Sequence, residues 1–254
     1  KRGLFLFGIF ICCTWLKTNA QASFDHKVVD VGNMGMYVTN ALTIGRPDVR
    51  NSPSGEPSME YPLNSGIEHL FEGGLWLGAI VDGQYKVSTS AKDAASGYTT
   101  GQTGFEFTAE IGNTIQQRSS LTSSDYFNFD AISHEDMLID ASDKNVIVPG
   151  TTIAISEHTA PLFADVHLET YAWNYSFADY FVLLNYTITN NSASTWDSVW
   201  CGLWSDLVVR NVNVSTDFGS AFFSHGGYGY LDTMFTNYAF DVDGANRAAQ
   251  DVGF

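Results

Sequence analysis

The chain has 254 residues, of which 28 are acidic and 12 are lysine or arginine, so its formal net charge is −16 at pH 7. An acidic surface of this kind repels nucleic acid and anionic lipid, and neither is expected as a partner. Aromatic residues make up 14% of the chain, enough at this length to form one large hydrophobic core.

The first 22 residues have the layout of a secretory signal peptide. Lys1 and Arg2 precede an apolar run of about a dozen residues, and the segment closes on Ala20-Gln21-Ala22. A transmembrane helix would need about 20 apolar residues. The sequence therefore predicts cleavage before Ser23 and a mature region, residues 23–254, that is secreted or on the outer cell surface and does not insert into the membrane.

Cleavage changes both the charge and the cysteine content of the chain. Three cations leave with the signal peptide, so the formal charge of −16 becomes −19. Two of the three cysteines leave as well, and Cys201 is the only thiol that remains. An intrachain disulfide and a zinc site built from several thiolates are thus excluded.

Strand patterns dominate the mature chain, and the clearest is a β-hairpin around Asp82-Gly83, a pair that accepts the positive φ angles of a tight turn. Residues 75–81 are apolar on both faces apart from glycines, which predicts a buried central strand. In the second arm Tyr85 and Val87 alternate with polar residues, so one face is expected to be wet.

Three other stretches of the mature chain complete the outline. Residues 46–66 contain four of the six prolines, residues 90–104 are rich in glycine and small polar residues, and both stretches are predicted to be long loops. Residues 133–143 could form one short helical turn, the only plausible helix in the chain. Between residues 180 and 190, apolar and polar residues alternate, which predicts a half-buried strand followed by a turn at Asn190-Asn191-Ser192.

Trp196, Trp200 and Trp204 follow that turn on one parity, so on a strand their rings would line one face. Two interpretations are open. The rings either fill the core between two sheets or form an exposed platform that stacks on sugar faces. The core interpretation is favoured, because the apolar face of a half-buried strand normally points inward.

No catalytic motif is present: the sequence has no G-x-S-x-G, H-E-x-x-H, C-x-x-C or phosphate-binding glycine loop. The nearest approach, residues 134–138, lacks the second histidine and is interpreted as a solvated polar turn. Carboxylate pairs for glycoside hydrolysis need only converge in space, so the acids of this chain are no evidence for one. No catalytic residue is predicted.

Calcium is the one cofactor with some support in the residues. Asp241 and Asp243 alternate before Gly244, as in a fragment of an oxygen-rich calcium loop. Asp206, at the end of the tryptophan strand, is a further candidate ligand. The competing interpretation is an ordinary Asp-rich β-turn.

Three segments carry a resemblance to a known group: residues 65–89, residues 169–207 and the later run YAFDVDG. Together they resemble uncharacterised secreted proteins of the Bacteroidetes and Chlorobi branch, which often end in a type IX secretion sorting domain. The resemblance spans about Met34 to Gly244 and implies a β-sandwich scaffold without a known activity. Relatives often carry a second aspartate two residues beyond the one matching Asp206, where this chain has Val208, so the implied calcium site is incomplete here.

These observations predict an all-β fold, an antiparallel two-sheet β-sandwich with long loops. The chain begins inside the signal, without a methionine, and stops at Phe254 in mid-pattern, so a fragment of a longer reading frame is expected, with the sandwich incomplete at its C-terminal end. The expected function is a non-catalytic secreted or cell-surface module, structural or adhesive, with an extracellular partner. The alternative is a carbohydrate-binding accessory domain or part of a secreted hydrolase. Exposure of the three tryptophans would favour sugar binding.

Overall fold

The computed structural model describes residues 24–45, 55–92, 104–110, 112–213, 226–241 and 248–253. Within these ranges the chain forms 14 β-strands and no helix, so the predicted all-β class is confirmed. It follows that no helix in the described ranges could cross a membrane. The predicted signal peptide lies outside the described residues, as do parts of both predicted long loops.

The first sheet is antiparallel and has eight strands, with the order β1-β2-β3-β5-β11-β14; β4 pairs with β2 and β5, and β6 pairs with β5. The long strands β5 and β11 are neighbours at its centre. The strands are β1 (His26–Val29), β2 (Gly35–Thr39), β3 (Thr43–Ile44), β4 (Met59–Glu60), β5 (Ile67–Val81), β6 (Gln84–Thr89), β11 (Trp196–Asn211) and β14 (Ala248–Gly253).

The second sheet has four antiparallel strands in the order β10-β9-β8-β7, and a separate two-stranded hairpin is formed by β12 and β13. Apolar residues from the inner faces of the two large sheets form a single core, which gives the sandwich arrangement. The strands are β7 (Gln116–Arg118), β8 (Glu135–Ser142), β9 (Ala164–Ala172), β10 (Leu183–Asn190), β12 (Gly226–Leu231) and β13 (Thr236–Asp241).

The predicted hairpin is present as β5 and β6, with Val81 opposite Gln84. Asp82 and Gly83 both have positive φ, 52° and 75°, as a two-residue type I′ turn requires. One face of β6 is exposed to solvent, but it is the face that carries the apolar residues. Tyr85 and Val87 are 79% and 59% exposed on the outer side, whereas Ser88 is fully buried on the side of the core.

Strand β5 is central, as predicted, because β6 and β11 pair with its two sides over residues 76–81. In this part of β5, only one face of the strand is buried. Leu75, Leu77 and Ala79 are almost completely buried in the core, while Trp76 on the other face is 39% exposed. A run that is apolar on both faces therefore covers the core with one face and leaves the other open.

The predicted helical turn at residues 133–143 is wrong, because this segment contains strand β8. Met137, Ile139 and Ala141 alternate into the core, and β8 bonds to β7 on one side and β9 on the other. His134 and Glu135 are buried, so the expected solvated turn is wrong as well. Pairing on both sides satisfies the backbone of β8 better than an isolated helical turn could.

Candidate binding surface

A β-bulge at Ser198 lies between Trp196 and the other two tryptophans of β11, Trp200 and Trp204. Ser198 has a positive φ of 50°, and the register with β5 shifts between Asp197 and Val199, so one extra residue is inserted there. A single extra residue reverses the parity of all that follows it. Trp196 therefore points to the core side of the sheet, while Trp200 and Trp204 point to the outer side. The prediction that all three rings share an inner face is wrong.

Trp196 is the only one of the three that packs against the core. It lies opposite Val81 on β11's inner face and is partly buried there. Its indole Nε1 is buried and has no hydrogen-bond partner among the described residues. The ring thus contributes apolar contact to the sandwich.

Four aromatic side chains on the outer face form what we call the aromatic surface: Trp76 of β5, Tyr85 of β6, and Trp200 and Trp204 of β11. The Trp76 and Trp204 rings lie 6.3 Å apart at an interplanar angle of 11°. The Tyr85 and Trp200 rings lie 6.5 Å apart and are tilted by 32°. Trp200 is 53% exposed and Trp76 is 39% exposed, so the surface is open to solvent.

Glycines lie opposite the tryptophans in the sheet register and keep the space between the rings open. Trp200 faces Gly78, and Trp76 faces Gly202. A Cβ added at Gly202 would meet no atom within 4 Å. The result is a shallow groove of about 370 Å³, lined by Trp76, Leu77, Gly78, Val87, Trp200, Cys201 and Gly202.

The groove is electrically neutral, although the chain as a whole carries a charge of −16. One of its rings is also held in place, because Trp76 Nε1 donates a hydrogen bond of 2.7 Å to the carbonyl of Ala91. A ring that is fixed before a ligand arrives loses little side-chain entropy on binding. The aromatic surface is therefore suited to a flat, uncharged ligand.

Sequence reasoning missed Trp76 and Tyr85, which join Trp200 and Trp204 only through the pairing of β5 with β6 and β11. Both lie in the predicted hairpin, and Tyr85 is part of the alternating pattern of its second arm. One local signal points to Trp76: in Gly74-Leu75-Trp76-Leu77-Gly78 the tryptophan shares its face of the strand with two glycines. The strand of Trp200 and Trp204 has the same feature, with Gly202 between the two tryptophans. Without the register, however, nothing links the two strands.

A second groove, of about 320 Å³, lies on the outer face of the second sheet. Four of its polar side chains are already in pairs: Lys144 Nζ lies 2.6 Å from Glu110 Oε1, and His167 Nδ1 lies 2.7 Å from Asp140 Oδ1. Such pairing is typical of a solvated sheet face. The neutral groove is the stronger candidate for a binding surface.

The calcium candidates are only partly within the described residues. Asp206 is buried in β11, opposite Glu72 of β5. Asp241 is the last residue of β13, and Asp243 lies outside the described residues. In the part of the chain that the structure describes, no group of three or more His, Cys, Asp or Glu side chains could hold a metal ion. Calcium binding stays a prediction.

The carboxyl group of Glu68, in β5, is buried, and its pKa differs between the folded and the unfolded state. Burial raises its pKa from 4.5 to about 7, although the N–H groups of Ser58 and Met59 donate hydrogen bonds to it and the charge of Arg210 also opposes the rise. A raised pKa means that the folded state holds its proton more tightly than the unfolded state does. Its stabilising contribution is complete below pH 4.5 and is lost as the pH rises through 7.

We therefore expect the free energy of unfolding to fall by about 2 kcal/mol across this window because of Glu68. The variant Glu68→Gln should remove most of this fall, and Glu157→Gln, whose side chain is 75% exposed, should not. Urea denaturation midpoints between about pH 4.5 and 8 measure the effect. An unchanged pH profile in Glu68→Gln would contradict the assignment.

Comparison with known proteins does not assign the chain to a family: no protein-family model, curated protein or solved structure matches it. The aromatic surface is consequently interpreted from its own chemistry. Three exposed rings beside a fourth that is partly buried, an open glycine position and a neutral groove are the features that any proposal has to explain.

Proposed function

We propose that the mature chain is a non-catalytic secreted or cell-surface module, adhesive in kind, that binds a neutral polysaccharide through the aromatic surface. The observation that carries the proposal is the exposure of Trp76 and Trp200 along an uncharged groove, with the Trp204 ring stacked nearly parallel to that of Trp76. This corresponds to the sugar-platform interpretation of the tryptophans, with Trp76 and Tyr85 taking the place of Trp196. Location outside the cell rests on the signal peptide layout of residues 1–22.

Sugar rings present flat faces of C–H groups and polar rims of hydroxyl groups. A tryptophan ring can cover such a face, while the hydroxyls at the rim remain in contact with water. Large exposed apolar patches on soluble proteins mark sites of interaction, and this patch contains the exposed rings of Trp76, Tyr85 and Trp200. A polysaccharide chain offers several such faces in succession, which suits rings contributed by three adjacent strands.

The charge of the chain favours a neutral ligand. The formal charge of −19 on the mature chain repels anionic polymers over a distance of about 10 Å at moderate ionic strength. The groove itself contains no lysine or arginine that could attract an acidic sugar. Nor is it lined by a carboxylate or an imidazole, the groups that would donate and accept protons in glycoside hydrolysis.

The test is retention of the secreted chain on a panel of immobilised neutral polysaccharides, with Trp76→Ala and Trp200→Ala as variants. Each variant should bind the polysaccharide that retains the wild type with an affinity at least about tenfold lower, because it lacks one ring that stacks on a sugar face. Phe129→Ala is the matched control, since this ring is 92% exposed but lies outside the aromatic surface. Absence of retention on every polysaccharide, or variants that bind as the wild type does, would overturn the proposal.

A further inference from the structure

The aromatic surface consists of two pairs of rings, and the groove lies between the pairs. Trp76 stacks with Trp204 at an interplanar angle of 11°, and Trp200 lies beside Tyr85 at a centroid distance of 6.5 Å. One ring of each pair, Trp76 in the first and Trp200 in the second, lines the groove. These two rings are therefore its walls, and each wall has a second ring next to it.

The floor between the two walls is formed largely by backbone and glycine. Trp200 lies opposite Gly78 in the sheet register, and Trp76 lies opposite Gly202. A Cβ added at Gly78 would lie 4.0 Å from Trp200 Cε3, and a Cβ added at Gly202 would meet no atom within 4 Å. Since neither position carries a side chain, a ligand can reach down between the tryptophans.

The separation of the walls matches a ligand that stacks on both of them. Trp76 and Trp200 are diagonal neighbours on adjacent antiparallel strands, because Trp200 is two residues from Gly202, the direct partner of Trp76. Diagonal neighbours of this kind are about 7–8 Å apart. Carbon atoms in contact are about 3.5–4.0 Å apart, so a ring between two stacking rings also needs about 7–8 Å. One pyranose ring, standing edge-on to the sheet, fills this interval.

We propose that the groove holds a pyranose ring between Trp76 and Trp200, and that it thereby selects neutral β-linked polysaccharides of glucose or xylose. This inference rests on the proposed function and adds the class of sugar to it. A flat platform stacks on one face of a sugar, whereas two facing walls require an apolar face on each side. β-Linked glucose and xylose meet that requirement, because all their ring substituents are equatorial and both faces present C–H groups.

Other common neutral sugars carry an axial oxygen on one face. The axial hydroxyl is at C2 in mannose and at C4 in galactose, and α-linked glucose has an axial glycosidic oxygen. Between the walls, this oxygen would be pressed against a tryptophan face and would lose its water, which costs free energy unless a hydrogen bond replaces the water. The Nε1 of Trp76 does not replace it, because it already donates to the carbonyl of Ala91.

The linkages of the polymer lead to the same class of sugar. Equatorial bonds at C1 and C4 lie close to the mean plane of the sugar ring, so a β-1,4-linked chain passes between the walls as a flat ribbon. An axial bond would direct the next sugar of the chain into Trp76 or Trp200. The groove contains no charged side chain, which agrees with an uncharged ribbon.

The first test is the affinity of the purified secreted chain for soluble hexasaccharides, measured by isothermal titration calorimetry. Cellohexaose and β-1,4-mannohexaose are a matched pair, because they share length, linkage and charge and differ only in the C2 hydroxyl. Cellohexaose and xylohexaose should bind, and mannohexaose and the α-linked maltohexaose should bind at least about tenfold more weakly than cellohexaose. Equal affinity for cellohexaose and mannohexaose, or a preference for mannohexaose or maltohexaose, would overturn the inference.

The second test removes one wall. Trp200→Ala leaves a one-sided site that needs only one apolar sugar face, so its affinities for cellohexaose and mannohexaose should become similar. Phe129→Ala is the matched control and should keep the preference of the wild type, because this exposed ring lies outside the aromatic surface. A Trp200→Ala protein that keeps the full preference would overturn the two-wall geometry. Absence of binding to any sugar would contradict the proposed function itself, whereas binding that is insensitive to the C2 hydroxyl would contradict only this inference.

Discussion

Replacing Asp143 by alanine is expected to lower the free energy of unfolding by about 4 kcal/mol, because three buried donors lose their acceptor. The Asp143 carboxylate is fully buried and accepts hydrogen bonds from Ser88 Oγ (2.6 Å), Leu162 N (2.7 Å) and Ala164 N (2.7 Å). Ser88 belongs to β6 of the first sheet, while Asp143 follows β8 and Ala164 begins β9 in the second. One side chain thus ties the two sheets of the sandwich together.

Asp140→Ala is the matched control for Asp143→Ala. It removes the same group three residues earlier, in β8, where the side chain is 59% exposed and pairs with His167. Exposed pairs of this kind contribute little, so the loss should stay within about 0.5 kcal/mol. Urea denaturation of both variants measures the difference. Equal losses for the two variants would show that Asp143 does not connect the sheets.

The second large loss of stability is expected when Trp196 is replaced by alanine, whereas the same replacement at Trp200 should have a small effect. Trp196→Ala should cost about 3 kcal/mol, because it removes a ring that packs against the core and leaves a cavity between the sheets. Trp200→Ala should cost less than about 1 kcal/mol, because that ring is 53% exposed on the outer face. The bulge at Ser198 places the two residues on opposite sides of the sheet.

Trp196→Phe refines the contrast. It keeps most of the apolar volume and removes the buried Nε1, for which the described residues provide no hydrogen-bond partner. Its cost should therefore be well below that of Trp196→Ala. Denaturant midpoints of the three variants provide the comparison. If Trp200→Ala were as destabilising as Trp196→Ala, both rings would be buried and the assignment of the aromatic surface would fail.

Local patterns predicted much of the fold correctly. The hairpin turn follows from Asp82-Gly83, because a two-residue turn needs positive φ at both positions and this pair accepts it. Strand β10 follows from alternation, and Leu184, Tyr186 and Ile188 do pack against the core. The alternation in β8 is harder to recognise, because the polar residues His134 and Glu135 begin the segment. Their burial depends on partners distant in sequence, such as the N–H of Asp30 that donates to Glu135.

The sequence by itself determined the all-β class and the hairpin, since a period of two along a strand and the φ preference of a turn are properties of neighbouring residues. Only the tertiary structure decided which face of each strand meets the core. Tyr85 and Val87 face solvent because the second sheet covers the other side of β5 and β6. The bulge at Ser198 separates Trp196 from Trp200 because the register with β5 requires an extra residue there. The aromatic surface exists because that register brings residues of β5, β6 and β11 to one side, and no local pattern contains such a long-range pairing.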